Sequence, residues 1–415
     1  MLPDGLDAST QRAETMAGQE AVRPSARAGH LNLPLLASAT ALHFLNDFYV
    51  AFLSPLLPLV VANFHLSLTL AGLLATILNT SAAMLQPGFG ALADHFRRRV
   101  FVRVGPVLAA TGMGLMGLAP SYGMLIVLLA LAGAGTAAFH PQGASTAGEA
   151  SGRRKGAGLS LFVAGGELGY ALGPLVIAAI VAWRGLDVTW MVALPGILAC
   201  VLLWPAFPPA SAHPSRSGTT SLRADLGAAF HPMLVLWFVV FLRSVVITSY
   251  HTFLPLLVTQ RGGPLVAGGL AVFLFGGVGA VGGICGGMLS ERIGRKRLVV
   301  LSFIITAPLL VAFVRSPTPW SYVFLALGGI AVYLSAAVTI VMAQELLPYR
   351  VGVASSIVMG VAWGMAGLTL TGVGALADRV GLGNAMMLVL LLFIPALAAA
   401  RALPRSLDTP AEQSR

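Results

Sequence analysis

"GALADHFRRR", Gly90 to Arg99, sits between two long apolar runs, and at an offset of 197 the chain writes "GMLSERIGRK", Gly287 to Lys296. The same offset carries "FLND" (44–47) onto "FLRS" (241–244) and Pro58 onto Pro255. At an offset of 196, "LLALAGAG" (128–135) falls on "FLALGGIA" (324–331), Glu149 on Glu345 and Arg154 on Arg350. Single coincidences among Gly, Ala and Leu are common, but matches kept in order at one spacing imply two copies of one unit.

What the unit is follows from composition. The 415 residues are 57% hydrophobic and only 10% charged, with a mean hydropathy of +0.86, against roughly 25% charged residues in a soluble domain. A net charge of +10 suggests nucleic acid only where it forms a patch on a polar surface. Here the basic residues fall in short loops between apolar runs, so no nucleic-acid partner is expected. A helix needs about 20 apolar residues to cross a bilayer. Splitting at loop signals predicts twelve spans, near 33–62, 67–92, 99–119, 121–146, 156–182, 188–207, 229–258, 264–290, 298–315, 319–344, 351–377 and 382–403.

The polar stretch "PPASAHPSRSGTTSLRAD" (208–225) reads as a linker. The predicted organisation is a cytosolic tail (1–30), a six-helix half (31–207), a linker (208–228), a second six-helix half (229–403) and a short tail (404–415). The first 30 residues mix acids and bases without an apolar core, which argues for a disordered tail and against a signal peptide. With the N-terminus inside, 20 of the 25 Lys and Arg fall on cytosolic segments and four outside: Arg184, Arg261, Arg315 and Arg379. Such a bias places both termini in the cytosol. Arg243 belongs to neither side, being mid-span. Cys200 and Cys285 lie in apolar runs, so neither a disulfide nor a metal site is expected. Trp183, Trp190, Trp204 and Trp320 sit near span ends as interface anchors.

Parallel six-helix halves with a midplane site are the plan of the major facilitator transporters, and the wording supports that resemblance. "GALADHFRRR" is similar to that superfamily's motif between the second and third helices, filled here by Gly90, Leu92, Asp94, Arg98 and Arg99. His95 and Arg97 depart from its usual basic residue and glycine. Gly287, Glu291 and Arg295 belong to the fuller second copy. The resemblance implies that acid and basic loop pair across the halves to close the cytosolic side; positive-inside charge alone is the plainer reading. Gly169, Gly173 and Pro174 in the fifth span resemble a signature of antiporter members, where glycines four apart let helices approach and the proline kinks. "HFLNDFYVAFLSPLLP", "LQPGFGALAD", "AFHPQGAS", "GGELGYALGP" and "FLRSVVITSYHTFLPLLV" most resemble the fosmidomycin resistance family. Gln142 stands where some members have an acid, and the fourth span lacks the arginine many drug/proton antiporters carry.

The expected fold is therefore all-α and membrane-integral, twelve transmembrane helices in two duplicated six-helix halves. A mid-membrane charge costs about 2.5–3.5 kcal/mol on insertion scales and needs a partner, water or a function. His43, Asn46, Asp47, Val50 and Ser54 share one face of the first helix, and Arg243, Ile247, Tyr250 and His251 one face of the seventh. The duplication puts these faces opposite each other, so Asp47 and Arg243 are expected to face a common space. They form a permanent ion pair, or Arg243 receives an anionic substrate while Asp47 takes up protons. Glu167, with Tyr170 a turn later, is a second buried mid-span acid, either proton carrier or interhelical anchor. His140, before Pro141, is expected towards the cytosolic end of its helix, as a proton-coupling group or as the partner of a carbonyl freed by the kink. Asn79, Gln86 and Gln142 read as helix-to-helix hydrogen-bonding residues.

The chain lacks G-x-x-x-x-G-K-[ST], H-E-x-x-H and G-x-S-x-G, so neither an ATP-driven engine nor an enzyme is expected. The expected function, drawn from the resemblance and the fifth-span signature, is proton-coupled efflux of small organic or phosphonate-type drugs such as fosmidomycin. Proton symport importing an organic anion is the alternative. No cofactor is expected beyond the proton gradient, and the expected state is a monomer in the cell inner membrane, with small-molecule substrate, protons and lipid as its partners.

Overall fold

The computed structural model describes residues 30–95, 99–207 and 222–404, and the first tail, most of the linker and the last tail lie outside them. Among the described residues twelve helices are long and apolar enough to span a membrane: α1 Leu33–Phe64, α2 Leu68–Ala93, α3 Arg99–Leu118, α4 Tyr122–Ala150, α5 Lys155–Arg184, α6 Leu186–Ala206, α7 Ala229–Gln260, α8 Leu265–Ile293, α9 Arg295–Arg315, α10 Trp320–Leu346, α11 Gly352–Val380 and α12 Leu382–Arg401. Among the described residues these agree with the predicted spans to within a few residues. One boundary differs, because helical structure already begins at Leu222, inside the expected linker. The segment "LRADLGAAF" is rich in good helix formers and runs into α7 without a stop signal.

Local chemistry sets the ends and the breaks. Asn32, Ser67 and Ser121 cap α1, α2 and α4 by accepting from Leu35, Leu70 and Met124 backbone N–H groups. Gly294, at φ 93°, closes α8 in the second basic loop, a backbone that favours glycine. Helix α1 loses regularity at Ala51 and Phe52, a turn after Asp47. Wider π-type turns interrupt α8 at Phe273–Val278 and α11 at Ile357–Val361, and such turns gather at functional positions.

Among the described residues the two halves meet where α2 packs on α11, α5 on α8, and α1 on both α7 and α8, and only over part of their length. Helix α2 runs against α11 from Leu68 opposite Gly374, past Thr76 bonded to the Gly367 carbonyl (3.0 Å), to Ala83 opposite Gly364. Beyond that point Met84 and Met359 are exposed, and Gly88, Gly90 and Gly360 have no neighbour where a Cβ would project. Helix α5 meets α8 at Pro174 with Gly269 and at Ala171 with Gly277. The Ser54 hydroxyl of α1 donates to the His251 carbonyl of α7. These two residues are repeat counterparts, so α1 and α7 touch at equivalent positions. The seam is closed at the end carrying Ser67 and Asp378 and open at the arginine-rich end.

This arrangement corrects one expectation. Among the described residues, Arg99 pairs with Glu149 (3.6 Å) and Arg295 with Glu345, each within its own half and not across the seam. The two pairs occupy similar places in the two repeats, Glu345 matching Glu149 and Arg295 lying one residue before the counterpart of Arg99. With the seam open at this end the halves stand apart, so each arginine takes the acid of its own bundle. Gly287, like Gly90, is open to its surroundings. Arg98 and the side chain of Asp94 lie outside what is described.

Candidate functional site

Three elements bring polar groups together in the first half. On α1, His43 and Asp47 are one turn apart, and His43 Nε2 lies 3.3 Å from Asp47 Oδ2. From α4, His140 Nε2 approaches Asp47 Oδ1 at 3.2 Å. Asn46 Nδ2 donates to the same Oδ1 at 2.8 Å. The fourth contact comes from α5, whose Phe162 carbonyl lies 2.7 Å from His43 Nδ1. Of the predicted residues, His43, Asn46, Asp47 and His140 thus form one cluster. His140 meets Asp47 and not a carbonyl freed by the kink, from a position past the middle of α4.

The cluster is built into tight packing. The His43 ring stacks on Phe162 at 4.1 Å between centroids and lies edge-on to His140 at 5.1 Å. A Cβ on Gly166 would stand 2.4 Å from His43 Nε2, so the ring fills space that only a glycine leaves. Gly169 and Gly173 lie against the Phe44 and Phe48 carbonyls of α1. The predicted close approach in the fifth span therefore serves the α1–α5 contact, and its Pro174 faces α8. His43, Asp47 and His140 also form a group whose ligand atoms lie within 4.8 Å of one another, close enough to share one cation. Sequence spacing gave no sign of this, because His140 is far along the chain from the other two.

Arg243 corrects the central expectation. It pairs with no carboxylate among the described residues; its Nη1 donates to Ser335 and Thr339 of α10, each at 3.2 Å, and its Nε is buried without a partner. The reason is register. The offset of 197 places Arg243 on Asn46, not on Asp47, and Asn46 is fully buried within its own half. Arg243, 2% exposed, likewise points into its own half, and the true counterpart of Asp47 is Ser244. Tyr250 is structural: fully buried, it stacks on Phe275 and donates to the Met386 carbonyl at 3.3 Å.

His251 does reach the interface. Its Nε2 lies 3.0 Å from the Tyr333 hydroxyl, its ring meets Tyr170 of α5 edge-on at 5.5 Å, and its Nδ1 is buried without a partner. The Glu167 side chain is accessible, yet it is packed round by protein as expected of a mid-span acid. It lies a turn below Tyr170, where α5 leaves the C-terminal half and the opening begins, within electrostatic reach of Asp47, His43 and Tyr333. Asn79 and Gln86 bond the Ala75 and Ala82 carbonyls of their own helix, not a neighbour.

Sequence reasoning missed Ser335 and Thr339, which no pattern distinguishes from other small polar residues of a span. It also missed Asp378 on α11. That carboxylate accepts from the Leu68 and Thr69 backbone N–H groups, both at 2.8 Å, and from the Thr69 hydroxyl at 2.6 Å, fastening the end of α11 to the start of α2. A signal existed, because "GALAD" at 374–378 repeats "GALAD" at 90–94 letter for letter.

The chain matches the Major Facilitator Superfamily model over residues 39–371. It is 30% identical over 381 residues to the fosmidomycin resistance protein of Escherichia coli (strain K12), covering 90% of this chain and 92% of that one. It is 29% identical over 293 residues to the multidrug resistance protein MdtG of Citrobacter koseri, covering 67% and 71%. Among solved structures, a bacterial homologue of the human lysosomal transporter Spinster, described as inward-facing and occupied, superposes with a TM-score of 0.76 at 16% identity, covering 91% of this chain and 98% of that one.

Proposed function

We propose that this chain, which belongs to the Major Facilitator Superfamily, is a proton-coupled efflux antiporter of small anionic drugs, phosphonates such as fosmidomycin among them, working by alternating access. The observation that carries the reading is the division of polar groups between the halves. A carboxylate held by two imidazoles lies in the first half, and a guanidinium without a carboxylate partner lies in the second. The first suits a proton, the second biases the space between the halves towards an anion. Kinship with a fosmidomycin resistance protein supports the phosphonate class.

Taking the arginine-rich face as cytosolic, the open seam corresponds to the inward-facing state. Substrate enters from the cytosol; the outer contacts of α1 with α7, α2 with α11 and α5 with α8 then open as the inner ends close. Proton binding at the outward-facing site and release to the cytosol return the carrier. No cofactor takes part. Both termini are cytosolic, and the working unit is a monomer in the cell inner membrane. A drug-susceptibility panel of cells with and without expression tests the reading. Expression raises tolerance to phosphonate drugs, and Asp47→Asn, expressed at the same level, abolishes that gain. Unchanged tolerance in the Asp47→Asn strain removes Asp47 as the coupling group.

A further inference from the structure

The hydrogen-bond pattern around His43 fixes more than its position. A backbone carbonyl only accepts, so at 2.7 Å from the Phe162 oxygen Nδ1 must carry a hydrogen. The other ring nitrogen, Nε2, then either carries a second hydrogen or presents a bare lone pair. It faces Asp47 Oδ2 at 3.3 Å, and an ionised carboxylate oxygen also only accepts. Two lone pairs opposed in a buried site have nothing to hold them together. One proton between the two atoms satisfies both of them.

The other carboxylate oxygen cannot supply it. Oδ1 already receives Asn46 Nδ2 at 2.8 Å and faces His140 Nε2 at 3.2 Å, so it is turned away from His43. We infer that the inward-open protein holds one proton between His43 Nε2 and Asp47 Oδ2, making His43 a coupling residue together with Asp47. This rests on the proton-coupled reading above and names where the proton sits.

Release of that proton has a structural consequence. The charged and titratable groups facing His43 are Asp47 on its own helix, His140 on α4 and Glu167 on α5. His140 is the more exposed histidine of the pair, with 29% of its side chain open against 9% for His43, and Glu167 stands at the rim, so both lie on the way to the open end. Once the proton leaves, His43 Nε2 and Asp47 Oδ2 repel. The ring cannot turn aside, because Phe162 stacks on one side and the Gly166 backbone closes another. The repulsion is relieved by moving α1 against α5, and α5 is the helix that meets α7 and α8 through Tyr170, Ala171 and Pro174. Proton release is thereby tied to the outer seam through one pair of helices.

The test uses full-length protein, with two independent readouts. In chelator-treated detergent solution, 15N-histidine spectra near neutral pH show one imidazolium whose signal disappears in His43→Gln; a His43 signal with Nε2 unprotonated, while Asp47 is ionised by infrared difference against Asp47→Asn, overturns the proposal. In proteoliposomes, His43→Gln, shown to be folded by its helical circular dichroism and gel-filtration profile, loses acceleration of substrate transport by a proton gradient. Gradient-driven transport at the wild-type rate in His43→Gln overturns the proposal. If wild-type transport ignores a proton gradient, the antiport reading fails by itself, and the spectra still decide whether the proton is there.

Discussion

Asp378→Ala should unlock the closed end of the seam. Its carboxylate ties α11 to the start of α2 through two backbone N–H groups and the Thr69 hydroxyl, at 2.6–2.8 Å. It does for α2 what an N-cap does, but from the other half of the molecule. Replacing a capping side chain by alanine costs about 0.5–2 kcal/mol, and hydrogen bonds to a charged group are worth about 1.5–3 kcal/mol when shielded. Asp378 is exposed, so water competes and about 1 kcal/mol is the appropriate figure. All of it belongs to the state closed at this end, since opening separates α2 from α11. The substitution therefore shifts the ratio of inward-open to outward-open molecules by roughly fivefold towards outward-open. Spin labels at exposed Met124 and Val323, at the outer ends of α4 and α10, report the change in nanodiscs after replacement of Cys200 and Cys285. Electron–electron distance measurement should show the long outer distance gaining population in Asp378→Ala. A distribution identical to the parent, in protein that still transports, would refute the role of Asp378 as a latch.

Other outcomes follow from the same geometry. Gly169→Ala places a Cβ 2.1 Å from the Phe44 carbonyl, so thermal unfolding should occur earlier by the equivalent of about 1–3 kcal/mol of overpacking; an unchanged midpoint contradicts the tight α1–α5 contact. Arg243→Met removes a buried positive charge that acts on the space between the halves only from a distance, so it should raise the KM for anionic substrates in counterflow without abolishing transport; an unchanged KM in folded protein contradicts that electrostatic role. Tyr250→Phe removes one bond to the Met386 carbonyl and should lower stability by about 1 kcal/mol with transport retained, a result checked by pairing a melting curve with counterflow. Glu345→Gln breaks a pair within one half and should leave the outer-distance distribution unchanged.

The spans, the duplication and the charge bias were legible because they depend on runs of many residues, where each helix must satisfy its own backbone in lipid. The carboxylate on α1 stood out in the sequence for the same reason: Asp47 is costly in an apolar helix. Its partners were harder to read. His43 followed from i, i+4 spacing, but His140 arrives from another helix, and its level against Asp47 depends on how α4 lies across α1. Arg243 was misplaced by a single residue of register, since its repeat counterpart is the inward-turned Asn46 and not Asp47. One residue on a helix is 100°, enough to turn a cavity-facing group into a core-facing one. The Asp378 latch left a repeated "GALAD" in the sequence, yet its partner is the backbone of a distant helix start, which no side-chain pattern encodes.

The central claim is that proton movement through the His43–Asp47–His140 cluster drives an anion outward. Right-side-out proteoliposomes preloaded with labelled fosmidomycin test it most directly. An inward proton gradient should accelerate loss of the label, with no acceleration in Asp47→Asn. Accumulation of external label driven by that same gradient would contradict efflux and leave proton symport as the mechanism.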